Sequence, residues 1–313
     1  MSARNVGLPD PHPSPGLPAR VTIWEVGARD GLQNEPVVLG ARVKAEFLDR
    51  LAAAGLRVLE ATSFAHPRWV PQLADATELL GLLTPRQGVR YPVLVPNERG
   101  LDRALAAGVT EIAIFASATD SFARRNLNRD LKKQFAMFAP VLRRAKASVL
   151  GVRGYVSMCF GDPWEGAVPI EQVVDIGRRL LDLGCDQLSL GDTIGVATPG
   201  QVAAVLEGFG RADVGIDALA VHFHDTYGQA LSNTLTALRA GVSCVDASAG
   251  GLGGCPYAGS ATGNLATEDL VWMLEGLGIE HGVDLDALVA TSVWMAGQLG
   301  RPSPSRVVHA LSS

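Results

Sequence analysis

The chain has 313 residues, of which 47% are hydrophobic and 19% are charged, and its net charge is −5. This composition is typical of a soluble globular protein, and the mildly acidic balance argues against nucleic acid or an anionic membrane as a partner. No apolar run reaches the roughly 20 residues that a membrane-spanning helix needs.

The first 20 residues carry prolines at positions 9, 11, 13, 15 and 18 and lack the apolar core of a signal peptide. We therefore expect a disordered or loosely packed arm over residues 1–20. Four scattered cysteines without a CxxC pair argue against a disulfide framework and favour the reducing cytoplasm. Arginine greatly outnumbers lysine, which is typical of a GC-rich bacterial genome.

From residue 21 onward, short apolar runs rich in β-branched residues alternate with longer amphipathic stretches. Eight strands are predicted near residues 21–27, 57–63, 90–96, 111–117, 151–157, 186–192, 217–224 and 244–250. Helices are predicted near residues 41–55, 101–108, 131–147, 170–184, 198–209, 229–241, 267–278 and 285–300. Several of them end in glycine, at positions 55, 108, 184 and 241, as left-handed helix caps do.

Eight alternations over about 250 residues favour an α/β fold of the (β/α)₈ TIM-barrel type. An open doubly wound sheet is the alternative, but no GxGxxG motif follows the first strand. The barrel is predicted over residues 21–280. A C-terminal helical extension over residues 281–313 is predicted to pack on the barrel or to meet a partner subunit.

In such a barrel, chemistry is located at the carboxyl ends of the strands. The polar residues found there are Glu25, Arg29, Asp30, Glu60, Ser63, Tyr155, Ser189, Asp192, His222, His224, Cys255 and Asn264. Because unpaired charges are costly inside a barrel, so many ionisable groups at one end are difficult to explain by packing alone.

The stretch "AVHFHDTYGQA" places His222 and His224 on alternate positions of one strand. Side chains at i and i+2 share a face, so the two imidazoles are expected to lie side by side, where they could hold a divalent metal. An isolated pair of this kind is more often without function. Its position at a strand end, among other ionisable groups, favours the metal site.

The stretch "EVGARDGLQNE" places Arg29 and Asp30 between the glycines at positions 27 and 31. A carboxylate suits Mg²⁺ or Mn²⁺ and can also accept a proton, and a guanidinium can stabilise an oxyanion. The simpler interpretation is a solvated turn.

The stretch "GGLGGCPYAGSATGN" forms a glycine-rich loop around Cys255 that lacks the ending of a P-loop. Its thiol is either inert or reactive. Asn264 either caps the following helix or offers its amide oxygen to a metal.

Together these motifs resemble the 3-hydroxy-3-methylglutaryl-CoA (HMG-CoA) lyase family, a metal-dependent TIM-barrel group, over residues 21–310. The segments that match include "EATSFAHPRWVPQLAD", "FASATDSFARRNLN", "LSLGDTIGVATPG" and "GLGGCPYAGSATGNLATEDLVWMLEGLGI". The Arg-Asp and H-x-H elements are shared by related synthases and aldolases. "GLGGCPYA" is the more specific mark of the lyase.

The resemblance implies cleavage of (S)-HMG-CoA to acetyl-CoA and acetoacetate, as in leucine degradation. It implies that Asp30, His222, His224 and Asn264 ligate one Mg²⁺ or Mn²⁺, that Arg29 stabilises the enolate, and that Cys255 takes part in proton transfer. Glu60 and Asp192 would support the cation and substrate, and His222 would also be catalytic. The pocket would be lined by Gln33, Ser63, Tyr155 and Ser189. A homodimer or larger homo-oligomer without an organic cofactor is implied.

Two departures concern how CoA is held. Relatives often carry lysine after "QNE", where this chain has Pro36, and near its C-terminus Arg301 and Pro302 occur where a lysine is common. Two other functions stay open: a related lyase or aldolase acting on another 3-hydroxyacyl-CoA or a 2-oxo acid, and a noncatalytic metal- or CoA-binding barrel.

Overall fold

A computed structural model of the chain describes residues 3–254 and 263–312. Its parallel strand segments are β1 (Thr22–Glu25), β2 (Val58–Leu59), β3 (Thr62–Ser63), β4 (Val93–Leu94), β5 (Glu111–Ser117), β6 (Gly151–Ser157), β7 (Gln187–Asp192), β8 (Leu219–Phe223) and β9 (Cys244–Ala247). They are hydrogen-bonded in the order β2-β1-β9-β8-β7-β6-β5-β4-β3.

The two ends of this order, β2 and β3, are halves of a single predicted strand, interrupted at Glu60 and Ala61. Across the interruption, the Glu60 amide donates to the Glu25 carbonyl over 2.9 Å. The Ala61 amide donates to the Pro92 carbonyl over 2.9 Å on the other side. The sheet therefore closes on itself into a barrel of eight strands, in which β2 and β3 count as one. The predicted (β/α)₈ barrel is confirmed.

The helices follow the strands around the outside of the barrel. They are α1 (Ala41–Ala53), α2 (Ala76–Leu82), α3 (Glu98–Ala106), α4 (Asp120–Leu127), α5 (Leu131–Ala147), α6 (Ile170–Asp182), α7 (Pro199–Arg211), α8 (Ala230–Arg239), α9 (Thr267–Gly276), α10 (Leu285–Leu299) and α11 (Arg306–Leu311). The glycines expected after four helices have positive φ angles of 73° to 111°, at positions 55, 108, 184 and 241. Helices α2 and α4 were not predicted from the sequence.

Most of the core lies between the sheet and the helices. Large side chains such as Phe47, Phe138 and Phe209 are fully buried there. Unlike this apolar core, the barrel interior holds buried charged side chains such as Arg153 and Asp246. Buried charges must be paired, and they are common at functional sites.

The segments outside the predicted barrel both contact it. Arg4, in a 3₁₀ turn at Ala3–Val6, pairs with Glu275 at 2.5 Å, and the amide of His12 donates to the Gly276 carbonyl. Helix α10 packs against α1 and α9. The domain boundaries at residues 20 and 280 stay predictions. Among the described residues, no helix is long and apolar enough to cross a membrane.

Candidate active site

Arg29 and Asp30 are presented by a short π-helical turn, Gly27–Gly31, that follows β1 directly. A side chain at Gly27 would come within 2.6 Å of the Glu25 carboxylate, which accepts hydrogen bonds from the Gly27 and Ala249 amides, so a larger residue would displace this buried group. The wide turn directs the guanidinium onto two carboxylates. Arg29 Nε donates to Glu60 Oε1, and Nη1 donates to Asp30 Oδ1, each at 2.5 Å.

A cluster of three potential metal ligands lies at the same end of the barrel. Asp30, His222 and His224 each bring a ligand atom within 4.8 Å of the other two. The rings of His222 and His224 lie 5.3 Å apart, which agrees with the shared face expected of alternate strand residues. One carboxylate and two imidazoles form a donor set that suits a divalent metal.

Asn264 completes the cluster. Its Nδ2 donates to Asp30 Oδ2 at 2.9 Å and to the Leu252 carbonyl at 3.0 Å. Its Oδ1 is buried, and within the described part of the chain it has no hydrogen-bond partner. A buried oxygen on a residue that contacts Asp30 and forms a β-bridge with His224 is well suited to a cation, so these residues fit a metal ion. Asn264 does not cap α9, whose N-cap is Ala266.

Asp246, which lies beside His222, was not predicted from the sequence. The β8–β9 register pairs the two residues, and His222 Nδ1 lies 3.2 Å from Asp246 Oδ2. Ser189 Oγ donates to the same oxygen at 2.8 Å, and Arg153 Nη2 donates to Oδ1 at 2.5 Å. An aspartate and an arginine inside otherwise apolar strand sequences are the sequence feature that points to this pair.

Glu60 forms a second buried network on the other side of Arg29. Besides Arg29, it accepts a hydrogen bond from Trp24 Nε1 at 2.9 Å and one from the Tyr155 hydroxyl. The Arg29 guanidinium lies 5.4 Å from the centre of the Tyr155 ring. These contacts fix the guanidinium in one orientation, and the side chain of Glu60 itself is fully buried.

A cavity of about 700 Å³ opens over these groups. Seven of the predicted site residues line it, namely Arg29, Asp30, Gln33, Ser63, Tyr155, His222 and His224. Four others are buried beside the cavity without lining it, namely Glu60, Ser189, Asp192 and Asn264. Asp192 instead accepts hydrogen bonds from the backbone amides of Val196 and Ala197, so it orders the loop that follows β7.

The charges at the site perturb one another strongly. Burial alone would lower the pKa of Arg29 and raise that of Asp30. The Glu60 and Asp30 carboxylates nevertheless raise the pKa of Arg29, and Arg29, followed by His222 and His224, lowers that of Asp30. Asp30 is therefore a carboxylate at neutral pH.

Two further groups near the site have raised pKa values. Burial raises the pKa of Asp192 to about 6, against the effect of its backbone hydrogen bonds. Burial would lower the pKa of His222, but the hydrogen bond and charge of Asp246 raise it above its ordinary value. Perturbed titration of this kind is common at functional sites.

Cys255 lies outside the described residues, so its predicted role is untested by the geometry. Its neighbour Gly254 lines the cavity, and the Gly254 carbonyl accepts a hydrogen bond from Asn34 Nδ2 at 2.8 Å. The chain therefore enters the segment that contains Cys255 at the edge of the site.

Comparison with known families agrees with this geometry. A family model described as HMGL-like matches residues 20–294, which is most of the chain. The chain belongs to the HMGL-like family. The resemblance that the sequence motifs indicated is therefore confirmed.

Named relatives are similar over nearly the whole chain. The human mitochondrial hydroxymethylglutaryl-CoA lyase is 49% identical over 294 residues, which cover 94% of this chain and 90% of the relative. The solved Pseudomonas aeruginosa hydroxymethylglutaryl-CoA lyase has a TM-score of 0.92 and 44% identity, and covers 95% of this chain and 99% of its own. An HMG-CoA lyase from Acinetobacter baumannii was solved with coenzyme A and 3-methylmalate. It has a TM-score of 0.89 and 33% identity, and the match covers 96% of this chain and 97% of that lyase.

Proposed function

We propose that this protein cleaves (S)-3-hydroxy-3-methylglutaryl-CoA to acetyl-CoA and acetoacetate, a carbon–carbon lyase reaction of leucine degradation. The convergence of Asp30, His222 and His224 ligand atoms within 4.8 Å, next to Arg29 at the cavity, is the observation that carries the proposal. The relatives at 44% to 49% identity, which are HMG-CoA lyases by name, support it.

Cleavage of the C2–C3 bond requires three things of the site. A base must take the proton of the C3 hydroxyl, positive charge must stabilise its oxygen, and the electrons left on C2 must be delocalised into the thioester as an enolate. Since the thioester itself accepts these electrons, we expect no organic cofactor. One Mg²⁺ or Mn²⁺, held by Asp30, His222, His224 and Asn264, would supply Lewis acidity toward the hydroxyl oxygen.

Asp30 would take the hydroxyl proton. Its carboxylate is ionised at neutral pH because of Arg29 and the two histidines, and the shared cavity brings it to the substrate. A lowered pKa makes a free carboxylate a weak base, so proton transfer would depend on close placement and on the acidity that a cation gives the hydroxyl.

Arg29 would stabilise the enolate oxygen of the departing acetyl-CoA. Its Nε donates a hydrogen bond to Glu60 and its Nη1 donates one to Asp30. Its Nη2 has no hydrogen-bond partner among the described residues. The guanidinium is therefore fixed in place with one nitrogen still available, which is the arrangement expected of an oxyanion-stabilising group. Glu60 would act by holding Arg29 and Tyr155.

Proton return to C2 would complete the reaction, and Cys255 is the proposed donor. Gln33, Ser63 and Tyr155 would position the acyl group from the cavity wall. Ser189 and Asp192, which lie behind the wall, would support the site through Asp246 and the loop after β7.

The direct test is product formation from (S)-HMG-CoA by the purified protein, with and without EDTA. We expect acetyl-CoA and acetoacetate in equal amounts, a loss of activity with EDTA, and recovery with Mg²⁺ or Mn²⁺. A panel of other 3-hydroxyacyl-CoAs and 2-oxo acids serves as the comparison. Faster turnover of a panel member would replace the proposed substrate, and no turnover of any would favour a noncatalytic barrel.

We also propose a homodimer in the bacterial cytoplasm. The C-terminal helix α10, on which Val293 is 43% exposed, is the proposed contact with the partner subunit. The three described cysteines are free and buried, which suits a reducing compartment. Light scattering of the purified protein and fractionation of the source cells test the two statements separately.

A further inference from the structure

The turn that follows β9 packs directly against the backbone around Asn264. This turn is a short 3₁₀ segment, Ala249–Gly251. A Cβ atom on Gly263, which precedes Asn264, would lie 2.0 Å from the Gly251 carbonyl oxygen. A Cβ atom on Gly253 would lie 2.6 Å from Asn264 Nδ2. The two backbone segments approach too closely for a side chain to separate them, so a shift of the turn must also move Asn264.

Asn264 is also hydrogen-bonded to the chain that leaves this turn. Its Nδ2 donates to the Leu252 carbonyl at 3.0 Å as well as to Asp30 Oδ2 at 2.9 Å. Both hydrogens of the side-chain amide are thus used, and Oδ1 is the atom left for a cation. The position of Leu252 therefore helps to set the orientation of the proposed ligand atom.

Three side chains hold the turn at Gly250. The Gly250 amide donates to Glu268 Oε2 at 2.8 Å, and the Gly250 carbonyl accepts a hydrogen bond from Ser303 Oγ at 2.8 Å. Ser292 on α10 donates its hydroxyl to the same Glu268 carboxyl group, and both of these residues are buried. Ser292 and Ser303 belong to the C-terminal extension, none of whose described residues lines the cavity. The extension therefore reaches the site only through this turn.

We propose that Ser292 and Ser303 are positioning residues for the metal site, because they fix the turn Ala249–Gly251 and the turn fixes Asn264. The proposal rests on the metal site of the proposed function. It gives the C-terminal extension a role within each chain, separate from contact with a partner subunit. A purely structural role would stabilise the fold and leave the affinity for a cation unchanged. Metal affinity, measured apart from stability, therefore separates the two roles.

Titration of the metal-free protein with Co²⁺, followed by visible absorption, tests this role without turnover. Co²⁺ binds such sites more tightly than Mn²⁺, so weakened sites stay measurable. We expect Ser292→Ala and Ser303→Ala each to weaken Co²⁺ binding roughly 2- to 10-fold, the range for loss of one hydrogen bond. Ser303→Thr keeps a hydroxyl and should restore the affinity. Thr291→Ala is the matched control, because the Thr291 hydroxyl donates to the Ala287 carbonyl of its own helix.

A double-mutant cycle shows whether the effect passes through Asn264. In the Asn264→Ala background, Ser303→Ala should not weaken Co²⁺ binding further, because the group that it positions is gone. Urea unfolding of the same variants checks that each is folded under the titration conditions.

Three results would overturn the positioning role. They are an unchanged Co²⁺ affinity in Ser292→Ala and Ser303→Ala, an equal loss in Thr291→Ala, and a loss in Ser303→Ala that persists in the Asn264→Ala background. A parent protein that binds no Co²⁺ would contradict both this role and the proposed metal site. The expected Co²⁺ pattern without turnover of any acyl-CoA would contradict only the lyase function and support the positioning role.

Discussion

His222 Nδ1 lies 3.2 Å from Asp246 Oδ2, so one ring nitrogen of His222 faces a buried carboxylate. The same carboxylate is held by Arg153 and Ser189. Such a contact fixes the tautomer and ring orientation of a histidine and leaves its other nitrogen for a cation. Asp246 is therefore a positioning residue for the proposed metal site.

Replacement of this carboxylate tests the arrangement. Asp246→Asn should weaken Mn²⁺ binding roughly 10- to 100-fold, as loss of a partner to a metal-bound histidine does. Calorimetric titration of Mn²⁺ measures the effect. Asp186→Asn is the control, because it changes an exposed aspartate that pairs with Lys146. An unaltered Mn²⁺ affinity in folded Asp246→Asn would show that Asp246 does not position His222.

Arg29 should matter to the rate and much less to substrate binding. If its free nitrogen stabilises the enolate, Arg29→Gln should lower kcat by roughly two to four orders of magnitude, with a small change in KM. Steady-state kinetics with saturating Mg²⁺ give both constants, and circular dichroism checks that loss of the Glu60 contact leaves the fold intact. A change confined to KM would assign Arg29 to substrate binding only.

The four cysteines should differ in reactivity. Cys159, Cys185 and Cys244 are buried, and burial raises the pKa of each, to about 12 for Cys185. Since thiolates are the reactive form, we expect a thiol reagent to inactivate through Cys255, with protection by substrate. Peptide mapping after partial alkylation identifies the labelled residue.

A second measurement separates the role of this thiol from a bystander effect. Cys255→Ser should bind metal and substrate nearly as the parent does but turn over much more slowly, because a hydroxyl is a far weaker acid. Full kcat in this variant, or inactivation that follows labelling of another cysteine, would remove Cys255 from the mechanism.

Glu25 should make stability depend on pH. It accepts hydrogen bonds from the amides of Gly27 and Ala249 and from the Thr267 hydroxyl, and burial raises its pKa from 4.5 to about 7. Because the folded state holds this proton more tightly, its contribution to stability is complete below pH 4.5. It is lost as pH rises toward 7.

Comparison with Glu25→Gln isolates this contribution, since glutamine does not titrate. The stability of the parent relative to the variant should fall by up to about 3 kcal/mol between pH 4.5 and 7, and stay constant above that range. Urea unfolding at several pH values measures the difference. A parallel pH dependence in the two proteins would rule out a raised pKa for Glu25.

Much of the fold was predictable because strand and helix periods alternate so regularly. The alternation of strand and helix patterns predicted all eight barrel strands and placed His222 beside His224. The interruption of the second barrel strand at Glu60 was not predictable, because it depends on hydrogen bonds to residues distant in sequence, such as Glu25 and Pro92. The helices α2 and α4 were missed because they are short and lie within the loops after strands.

The candidate site was predictable in part, because a barrel places its functional residues at the carboxyl ends of the strands. Residues at the strand ends, such as Arg29, Asp30 and His222, could be identified from position and chemistry. Ser189 was expected in the pocket, but the pairing of β7 with its neighbours places its hydroxyl on Asp246. Asp246 and Arg153 lie within strands, and only the three-dimensional register shows that each satisfies the charge of the other.

The most direct test of the account is the metal stoichiometry of the protein and of the double variant His222→Ala/His224→Ala, measured together with acetoacetate release from (S)-HMG-CoA. The parent should bind one Mg²⁺ or Mn²⁺ per chain and form acetoacetate. The folded double variant should bind neither ion with comparable affinity and should form none. One tightly bound ion per chain in the folded double variant, or undiminished acetoacetate release, would contradict the central claim.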